Sequence, residues 1–471
     1  MKRNERLLLN TIIIAIGTFT TKALSFIMVP FYTVWLSPEE YGNFDLLITY
    51  ISFFIPFATF QLEQAIFRFC IENKDNSKKY YSNAIIKVFA NILICNFIIL
   101  LLLRDKSYLI PFIIYFDCYA IYNCSSEYLR GIEKIKMYSV INVVVSVIIV
   151  LLNITLVYIK KLQIEGMLWS YAIAYLIGII LINFIESPMK DIFKNRDKTV
   201  EKEMMRYALP LIPNSISWWI THITDRTVIK IVMGNFYNGI YAVSCKIPTL
   251  VNILFSVFNL SWQQTAIKSL NDADKTKFYN DIYNKLIKFL YTSSYIILSI
   301  TPFIFEFFIA KDYYQGIYQI PIILNGIIFL SIAQFLNAIF LANKDTKSVG
   351  ITTTIVAVIN FLINICFINF IGLTAASLST LISYFVLFFI RHKKLATMFE
   401  NKKIMKRIVI YNIIYILYSV IINIKFNLIL NSIIVLTAIS LFFIKNRKII
   451  SKIINKFLRK GKKEEDESFN Y

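Results

Sequence analysis

Long apolar stretches recur along nearly the whole chain, and the charged residues collect between them. Most stretches are long enough to cross a bilayer as an α-helix, which needs roughly 20 residues. Because hydrocarbon offers no partner to a free backbone group, each stretch is expected to be helical. A transmembrane barrel would instead show short segments of alternating polarity. The composition agrees, with 57% hydrophobic and only 17% charged residues. The sequence therefore predicts an all-α polytopic membrane protein.

Fourteen candidate spans can be delimited. Their approximate bounds are 9–33, 43–66, 83–103, 109–128, 139–159, 166–187, 207–232, 240–263, 285–308, 317–341, 348–370, 372–391, 406–424 and 427–445. A short break separates the last two, so the predicted range is 12–14 spans.

The loop charges predict the orientation of these spans. If the N-terminus and every second loop are cytoplasmic, 39 of the 50 Lys and Arg residues lie on that side, as the positive-inside rule requires. Both termini are therefore expected in the cytoplasm. The net charge of +21 is spread evenly over the loops, which indicates topology and contact with anionic membrane lipid rather than nucleic-acid binding.

The second half of the sequence repeats features of the first. LLNITLVYI (151–159) is similar to LINICFINF (362–370), and GMLWSYAIAYL (166–176) is similar to AASLSTLISYF (375–385). We expect two six-helix bundles, 1–204 and 205–400, related by a parallel internal repeat. About two additional transmembrane helices (401–445) and a basic amphipathic or disordered cytoplasmic tail (446–471) would follow. Such repeats are typical of transporters, whose substrates often bind between the bundles.

Several cations lie inside predicted spans, where a charge is costly unless it faces water or a partner. His222, Arg226 and Lys230 are each four residues apart and share one face of the seventh span. Lys22 lies near the middle of the first span, which matches the seventh in the repeat, and Lys246 lies in the eighth. We interpret these residues as the wall of a shared cationic cavity. The alternative is that each charge pairs with another helix and only holds the bundle together.

Carboxylates also lie in or beside the spans. Glu63 and Asp117 are candidates for coupling a proton or cation, although Glu63 could instead pair with Arg68. Asp225 could line the cavity or pin two helices. Exposure to headgroup water explains the acidic residues near span ends, which are Asp45, Glu127 and Glu306. The predicted substrate-binding residues are Lys22, Arg68, His222, Asp225, Arg226, Lys230 and Lys246.

Sequence signatures of enzymes are missing. The chain has no Walker A loop, no GxGxxG and no HExxH, and one of its two histidines, His392, falls in the predicted basic loop RHKK. We therefore expect neither an enzyme nor a bound cofactor or metal, and no direct use of ATP.

One region carries a resemblance to a known family. YALPLIPNSISWWITHITDRTVIKIVMGNFYNGIYAVSCKIP (207–248) resembles the middle of polysaccharide flippases of the multidrug/oligosaccharidyl-lipid/polysaccharide exporter superfamily. The shared pattern is a Pro-x-x-Pro entry, an Asp-Arg pair and a Gly-x-Tyr. EQAIFRF (63–69) and YLRGIEKIKMY (128–138) resemble further signatures of that family.

The resemblance implies transfer of undecaprenyl-diphosphate-linked oligosaccharide repeat units, of the O-antigen or capsule type, from the cytoplasmic to the outer leaflet of a bacterial inner membrane. It also implies alternating access, a possible coupling cation or proton and a possible polysaccharide polymerase partner. A drug/cation antiporter of the same superfamily is one alternative, although its cavity would favour carboxylates. A peptidoglycan-precursor flippase shares the lipid anchor. A membrane-embedded polymerase or ligase would need a sizeable external loop, and the predicted outer loops are very short.

Overall fold

The computed structural model describes residues 3–447 except 105, 191, 271, 344, 400 and 423–426. The described chain is helical and contains no strand. Each of the fourteen predicted spans coincides with a helix or with two consecutive helices. Nine described helices are long and apolar enough to cross a membrane, or ten if α10 and α11, defined below, form one broken span. The prediction of an all-α polytopic membrane protein is confirmed, while most of the predicted tail (448–471) lies outside the described residues.

The helices of the first half are α1 (Arg3–Trp35), α2 (Pro38–Thr59), α3 (Leu62–Glu72), α4 (Ser77–Leu103), α5 (Leu109–Gly131), α6 (Ile135–Asn153), α7 (Gln163–Glu186) and α8 (Lys198–Ala208). Those of the second half are α9 (Ile212–Met233), α10 (Asn235–Lys246), α11 (Thr249–Lys268), α12 (Lys275–Phe308), α13 (Ile320–Ala342), α14 (Thr346–Ile371), α15 (Leu373–Lys394), α16 (Asn401–Ile422) and α17 (Leu428–Arg447). A π-helical turn, Ile154–Ile159, extends α6.

The described helices form two compact units. Unit 1 comprises Met1–Lys246, Ile309–Gly316 and Lys347–Ser383, and unit 2 comprises Ile247–Phe308, Ile317–Thr346 and Tyr384–Tyr471. The units are defined by contacts between helices, and their bounds differ from those of the predicted sequence repeat. The predicted bundle boundaries after residues 204 and 400 therefore stay predictions.

Two predicted spans are broken in the structure. The span at 43–66 divides into α2 and α3 because Phe60 and Gln61 adopt left-handed backbone conformations, with φ of 49° and 59°. The Thr59 hydroxyl accepts a hydrogen bond from the Gln61 amide at 3.2 Å, which offers the backbone an alternative to the helical bond. The span at 240–263 divides after α10 because Pro248 lacks an N–H and disfavours helical geometry at the residue before it.

In unit 1, α2 and α10 pack with their backbones in close contact at two glycines. A Cβ added to Gly239 would lie 1.8 Å from the Pro38 carbonyl oxygen, and one added to Gly42 would lie 2.1 Å from the Asn235 carbonyl oxygen. The Asn238 side chain donates to the Gly42 carbonyl at 2.6 Å. This contact brings the first turns of α2 and α10 together, and with them the charged residues further along both helices.

Gly239→Ala should destabilise the protein by about 1–3 kcal/mol or more, because the backbones of α2 and α10 must separate to admit the methyl group. Gly350→Ala is the matched control, since its Cβ would meet no atom within 4 Å and alanine favours the helix. Thermal unfolding in mild detergent measures the melting temperatures of both variants. An unchanged melting temperature for Gly239→Ala would contradict the close approach.

Unit 2 is held by aromatic and polar contacts among its helices. The Trp262 indole donates to the Phe335 carbonyl at 3.0 Å, and their rings stack with centroids 4.5 Å apart. His392 is buried, and its Nδ1 lies 3.2 Å from the Tyr283 hydroxyl. The placement of His392 in a basic loop is thus wrong: α15 continues to Lys394 and carries the imidazole into the core of the unit.

Candidate functional site

A polar cavity of about 500 Å³ lies within unit 1. Its wall is built by α1, α2, α5, α6, α7 and the end of α10. The residues that line it with polar side chains are Thr21, Lys22, Ser25, Tyr32, Tyr41, Asp45, Tyr119, Tyr122, Asn123, Ser126, Glu127, Tyr138, Asn142, Ser146, Tyr171, Tyr175 and Lys246. This volume lies within the range of roughly 300–1,000 Å³ that is usual for ligand pockets.

Lys22 supplies one cation of the wall. It lies on an otherwise largely apolar helix, α1, which also contributes Thr21 and Ser25 to the lining, and its side chain is exposed. No carboxylate pairs with Lys22 among the residues that the structure describes. A charged amine within a membrane helix needs water or a counter-ion, so the cavity is suited to an anion.

Asp45 is the centre of an ion cluster at the edge of the cavity. Its Oδ2 accepts from Arg226 Nε at 3.1 Å, and its Oδ1 lies 3.7 Å from Lys246 Nζ. The guanidinium of Arg226 also lies over the Tyr241 ring, 5.3 Å from the centroid. The Arg226 and Asp45 side chains are only 13% and 11% exposed. The cluster joins α2, α9 and α10.

Glu127, the other carboxylate among the described lining residues, is also paired. Arg130 Nη1 donates to Glu127 Oε1 at 2.9 Å, and the Arg130 guanidinium lies 3.8 Å from the Phe67 ring centroid. The two lining carboxylates therefore each have an arginine partner, while the lining lysines, Lys22 and Lys246, add two further positive charges. The site as a whole is cationic.

Tyrosines form one side of the cavity. The Tyr175 ring of α7 lies between the Tyr119 and Tyr122 rings of α5, with both centroid separations at 5.1 Å. The Tyr122 hydroxyl donates to Asn142 Oδ1 at 3.0 Å, and Tyr171 lies one turn from Tyr175. Such a surface presents apolar ring faces together with hydroxyl groups, a combination that suits a partly apolar, hydroxyl-rich ligand.

Asp225 belongs to a separate buried polar cluster of unit 1. It accepts hydrogen bonds from Asn364 Nδ2 at 2.7 Å, Thr380 Oγ1 at 2.9 Å and the Tyr241 hydroxyl at 3.2 Å. Asn360 Nδ2 donates to the Ser379 hydroxyl at 3.2 Å. The Oδ1 atoms of Asn360 and Asn364 are buried and have no hydrogen-bond partner among the described residues.

The structure thus divides the predicted substrate-binding residues. Lys22 and Lys246 line the cavity, and Arg226 lies directly behind Asp45. Asp225 is in the separate cluster, and Lys230 is exposed at an apolar groove. The side chain of His222 lies outside the described residues.

The remaining predicted residues lie away from the cavity wall. Arg68 is exposed and does not line the cavity. It pairs at 3.0 Å with Glu72, one turn further along α3, and not with Glu63, the alternative partner that the sequence suggested. Glu63 is buried, and one of its oxygens has no hydrogen-bond partner among the described residues. Asp117 accepts two hydrogen bonds from the Asn96 amide, at 3.1 and 3.0 Å.

Sequence reasoning missed three features of the site. Asp45 and Glu127 were expected to face headgroup water, but both lie in the cavity wall. Packing of α9 against α2 gives Asp45 an arginine partner, whereas Glu127 pairs with an arginine one turn along α5 itself. The tyrosine surface carried a visible signal, because Tyr115, Tyr119 and Tyr122 recur at helical spacing.

Known proteins share this sequence pattern and fold. Residues 7–262 match the family model described as polysaccharide biosynthesis protein. An uncharacterised membrane protein of Methanocaldococcus jannaschii is 26% identical over an alignment of 281 positions. The alignment covers 56% of this chain and 65% of that protein, just under two thirds of the relative.

Two solved structures have the same fold. The lipid II flippase MurJ in an inward closed conformation superposes with a TM-score of 0.72 at 17% identity, covering 94% of this chain and 100% of the other. An inward-facing multidrug resistance MATE family transporter of the MOP superfamily gives 0.61 at 13% identity, covering 80% and 95%. The family model spans more than half of the sequence, and the chain therefore belongs to the polysaccharide biosynthesis protein family.

Proposed function

We propose that this protein moves undecaprenyl-diphosphate-linked oligosaccharide repeat units from the cytoplasmic to the outer leaflet of a bacterial inner membrane by alternating access. The observation that carries the proposal is the cationic, tyrosine-lined cavity of unit 1, in a member of the polysaccharide biosynthesis protein family. The fold shared with the MurJ flippase and a MATE transporter supports transport rather than an enzymatic reaction.

The two lysines of the wall are suited to the diphosphate. Lys22 and Lys246 are ammonium groups that can donate charge-assisted hydrogen bonds to phosphate oxygens, each contributing about 1.5–3 kcal/mol. Asp45 lies 3.7 Å from Lys246 as well as pairing with Arg226, but each wall carboxylate has an arginine partner, so the lysines leave a net positive charge for the phosphates. The polyprenyl chain would remain in lipid.

The tyrosine side of the cavity is suited to the glycan. Sugar rings have apolar faces that pack on aromatic rings and hydroxyls that hydrogen-bond to polar side chains. Tyr119, Tyr122 and Tyr175 supply rings, and Asn123 and Asn142 supply amide groups. In contrast, an organic cation would meet lysines in the wall, which disfavours the drug antiporter.

Short outer connections are also consistent with transport. Only Leu36 and Ser37 separate α1 from α2, and only Gly234 separates α9 from α10. These connections leave no room for the external catalytic loop that a polymerase or ligase would require.

For the coupling ion, the Asp225 cluster is suitable for a small cation. The carboxylate, the free Oδ1 atoms of Asn360 and Asn364, and the Thr380 hydroxyl are all oxygen donors, which hard cations prefer. One carboxylate balances a single positive charge, which favours a monovalent ion such as Na⁺. Glu63 and Asp117, predicted to couple a proton or cation, stay as alternatives.

Adding Na⁺ in place of choline at constant ionic strength should raise the melting temperature of the purified protein, because a ligand that binds only the folded state stabilises it. Asp225→Asn should abolish this shift, whereas Asp117→Asn should keep it. Equal shifts in wild type and Asp225→Asn would exclude Asp225 from the cation site.

A deletion strain tests the function itself. Loss of the protein should cause the diphosphate-linked glycan to accumulate in the cytoplasmic leaflet and surface polysaccharide to fall, and the wild-type gene should restore both. Normal glycan distribution in the deletion strain, together with greater sensitivity to organic cations, would contradict the flippase and indicate the antiporter.

A further inference from the structure

An apolar groove of about 280 Å³ opens on unit 1, away from the polar cavity. It is lined by α2, α4, α5 and α9. Its apolar lining residues are Leu46, Leu47, Ile51, Phe54, Ile99, Phe112, Phe116 and Ile223. Its described polar lining residues are Asn43, Tyr50, Tyr108 and Lys230.

The length of the groove matches one leaflet of a bilayer. Along α2 it runs from Asn43 to Phe54, eleven helical steps, which span roughly 16 Å at 1.5 Å per residue. The hydrocarbon core of a bilayer is about 30 Å thick, so the groove extends through about half of it.

The polar groups lie mainly at one end of the groove. Asn43 is in the second turn of α2, Tyr108 directly precedes α5, and Lys230 is in the last turn of α9. The positive-inside topology places these three helix ends on the outer side of the membrane. Headgroup level is therefore at this end, and the apolar lining lies deeper.

Lys230 makes one end of the groove favourable for a negatively charged group. Its side chain is exposed, and no carboxylate is found among the described residues that line the groove. Within the described part of the chain, no ion pair involves Lys230. On the inner side of the groove, the Tyr50 hydroxyl lies 3.3 Å from the Thr227 hydroxyl, so α2 and α9 form a continuous floor.

We propose that this groove binds an anionic phospholipid of the outer leaflet, with its phosphate at Lys230 and one acyl chain along α2 and α9. The lipid is a resident of the groove and is not the transported substrate. Because α2 and α9 carry Asp45 and Arg226 on the cavity side, the bound lipid stabilises the helix pair that forms the edge of the cavity. The inference does not depend on the nature of the transported molecule.

Native mass spectrometry of the delipidated full chain tests the site, with phosphatidylglycerol and phosphatidylcholine of the same acyl chains offered in equal amounts. Wild type should retain phosphatidylglycerol preferentially and melt at a higher temperature with it. Lys230→Gln should weaken that retention by about fivefold, as expected for one lysine at an anionic lipid surface. Lys230→Arg should keep it.

Lys106→Gln is the matched control, because Lys106 is an exposed lysine of the loop before α5 that does not line the groove. It should bind phosphatidylglycerol as wild type does. Equal retention of both lipids by wild type, or equal loss in Lys230→Gln and Lys106→Gln, would overturn the proposal. Displacement of phosphatidylglycerol by undecaprenyl phosphate at equal concentration would overturn the choice of occupant and assign the groove to the carrier lipid.

Discussion

Asp45→Ala is expected to destabilise the protein by about 3–5 kcal/mol, because it leaves the largely buried guanidinium of Arg226 without its carboxylate. The cost comes from the unpaired charge more than from the lost pair. Replacing both partners, as in Asp45→Ala with Arg226→Met, should therefore be less harmful than Asp45→Ala alone. Unfolding in a detergent of graded denaturing strength measures four free energies, those of the wild type, Asp45→Ala, Arg226→Met and the double variant.

The double-mutant cycle measures how strongly Asp45 and Arg226 stabilise each other. A coupling free energy near zero would mean that Arg226 and Asp45 act independently, which would contradict the ion cluster. Lys246→Met is the matched control for removal of a cation from the same cluster. Lys246 is 39% exposed and 3.7 Å from Asp45, so its loss should cost far less stability than the loss of Asp45.

Lys22→Ala is expected to reduce transport by about 10- to 100-fold, which corresponds to the loss of one charge-assisted contact to phosphate. Lys22→Arg should retain most of the activity, since it keeps the charge. The readout is the amount of diphosphate-linked glycan in the cytoplasmic leaflet of a deletion strain that expresses each variant at equal level.

Lys87→Ala is the control for this prediction, because Lys87 lies in α4, outside the cavity lining. It should transport as wild type does. Full activity of Lys22→Ala would contradict a role for the cationic wall in holding the diphosphate, even if the deletion strain still accumulates glycan.

The helices could be predicted from local sequence, whereas the break in the second span could not. Each apolar stretch became a helix because the bilayer leaves the backbone no alternative. The break at Phe60 and Gln61 depends on a hydroxyl that competes for a backbone amide, a contact that hydropathy does not detect. Pro248 was visible in the sequence, and its effect on the eighth span could have been predicted.

The site was predicted only as far as single residues reveal it. Lys22 and Lys246 were identified because a cation in an apolar helix requires an explanation. The role of Asp45 could not be predicted, since a position near a helix end is equally consistent with solvent exposure. Its pairing with Arg226, 181 residues away, depends on which helices are neighbours. The same holds for Asp225, whose partners Asn364 and Thr380 come from α14 and α15.

The most direct test of the central claim is transbilayer movement in proteoliposomes that contain the purified chain and the diphosphate-linked glycan extracted from the deletion strain. An impermeant glycan-modifying enzyme outside the vesicles reports how fast the inner-leaflet glycan becomes accessible. Wild type should accelerate this step well beyond empty liposomes, and Lys22→Ala should lose most of the acceleration. No acceleration by a wild-type protein that melts cooperatively in the same lipid would contradict the account.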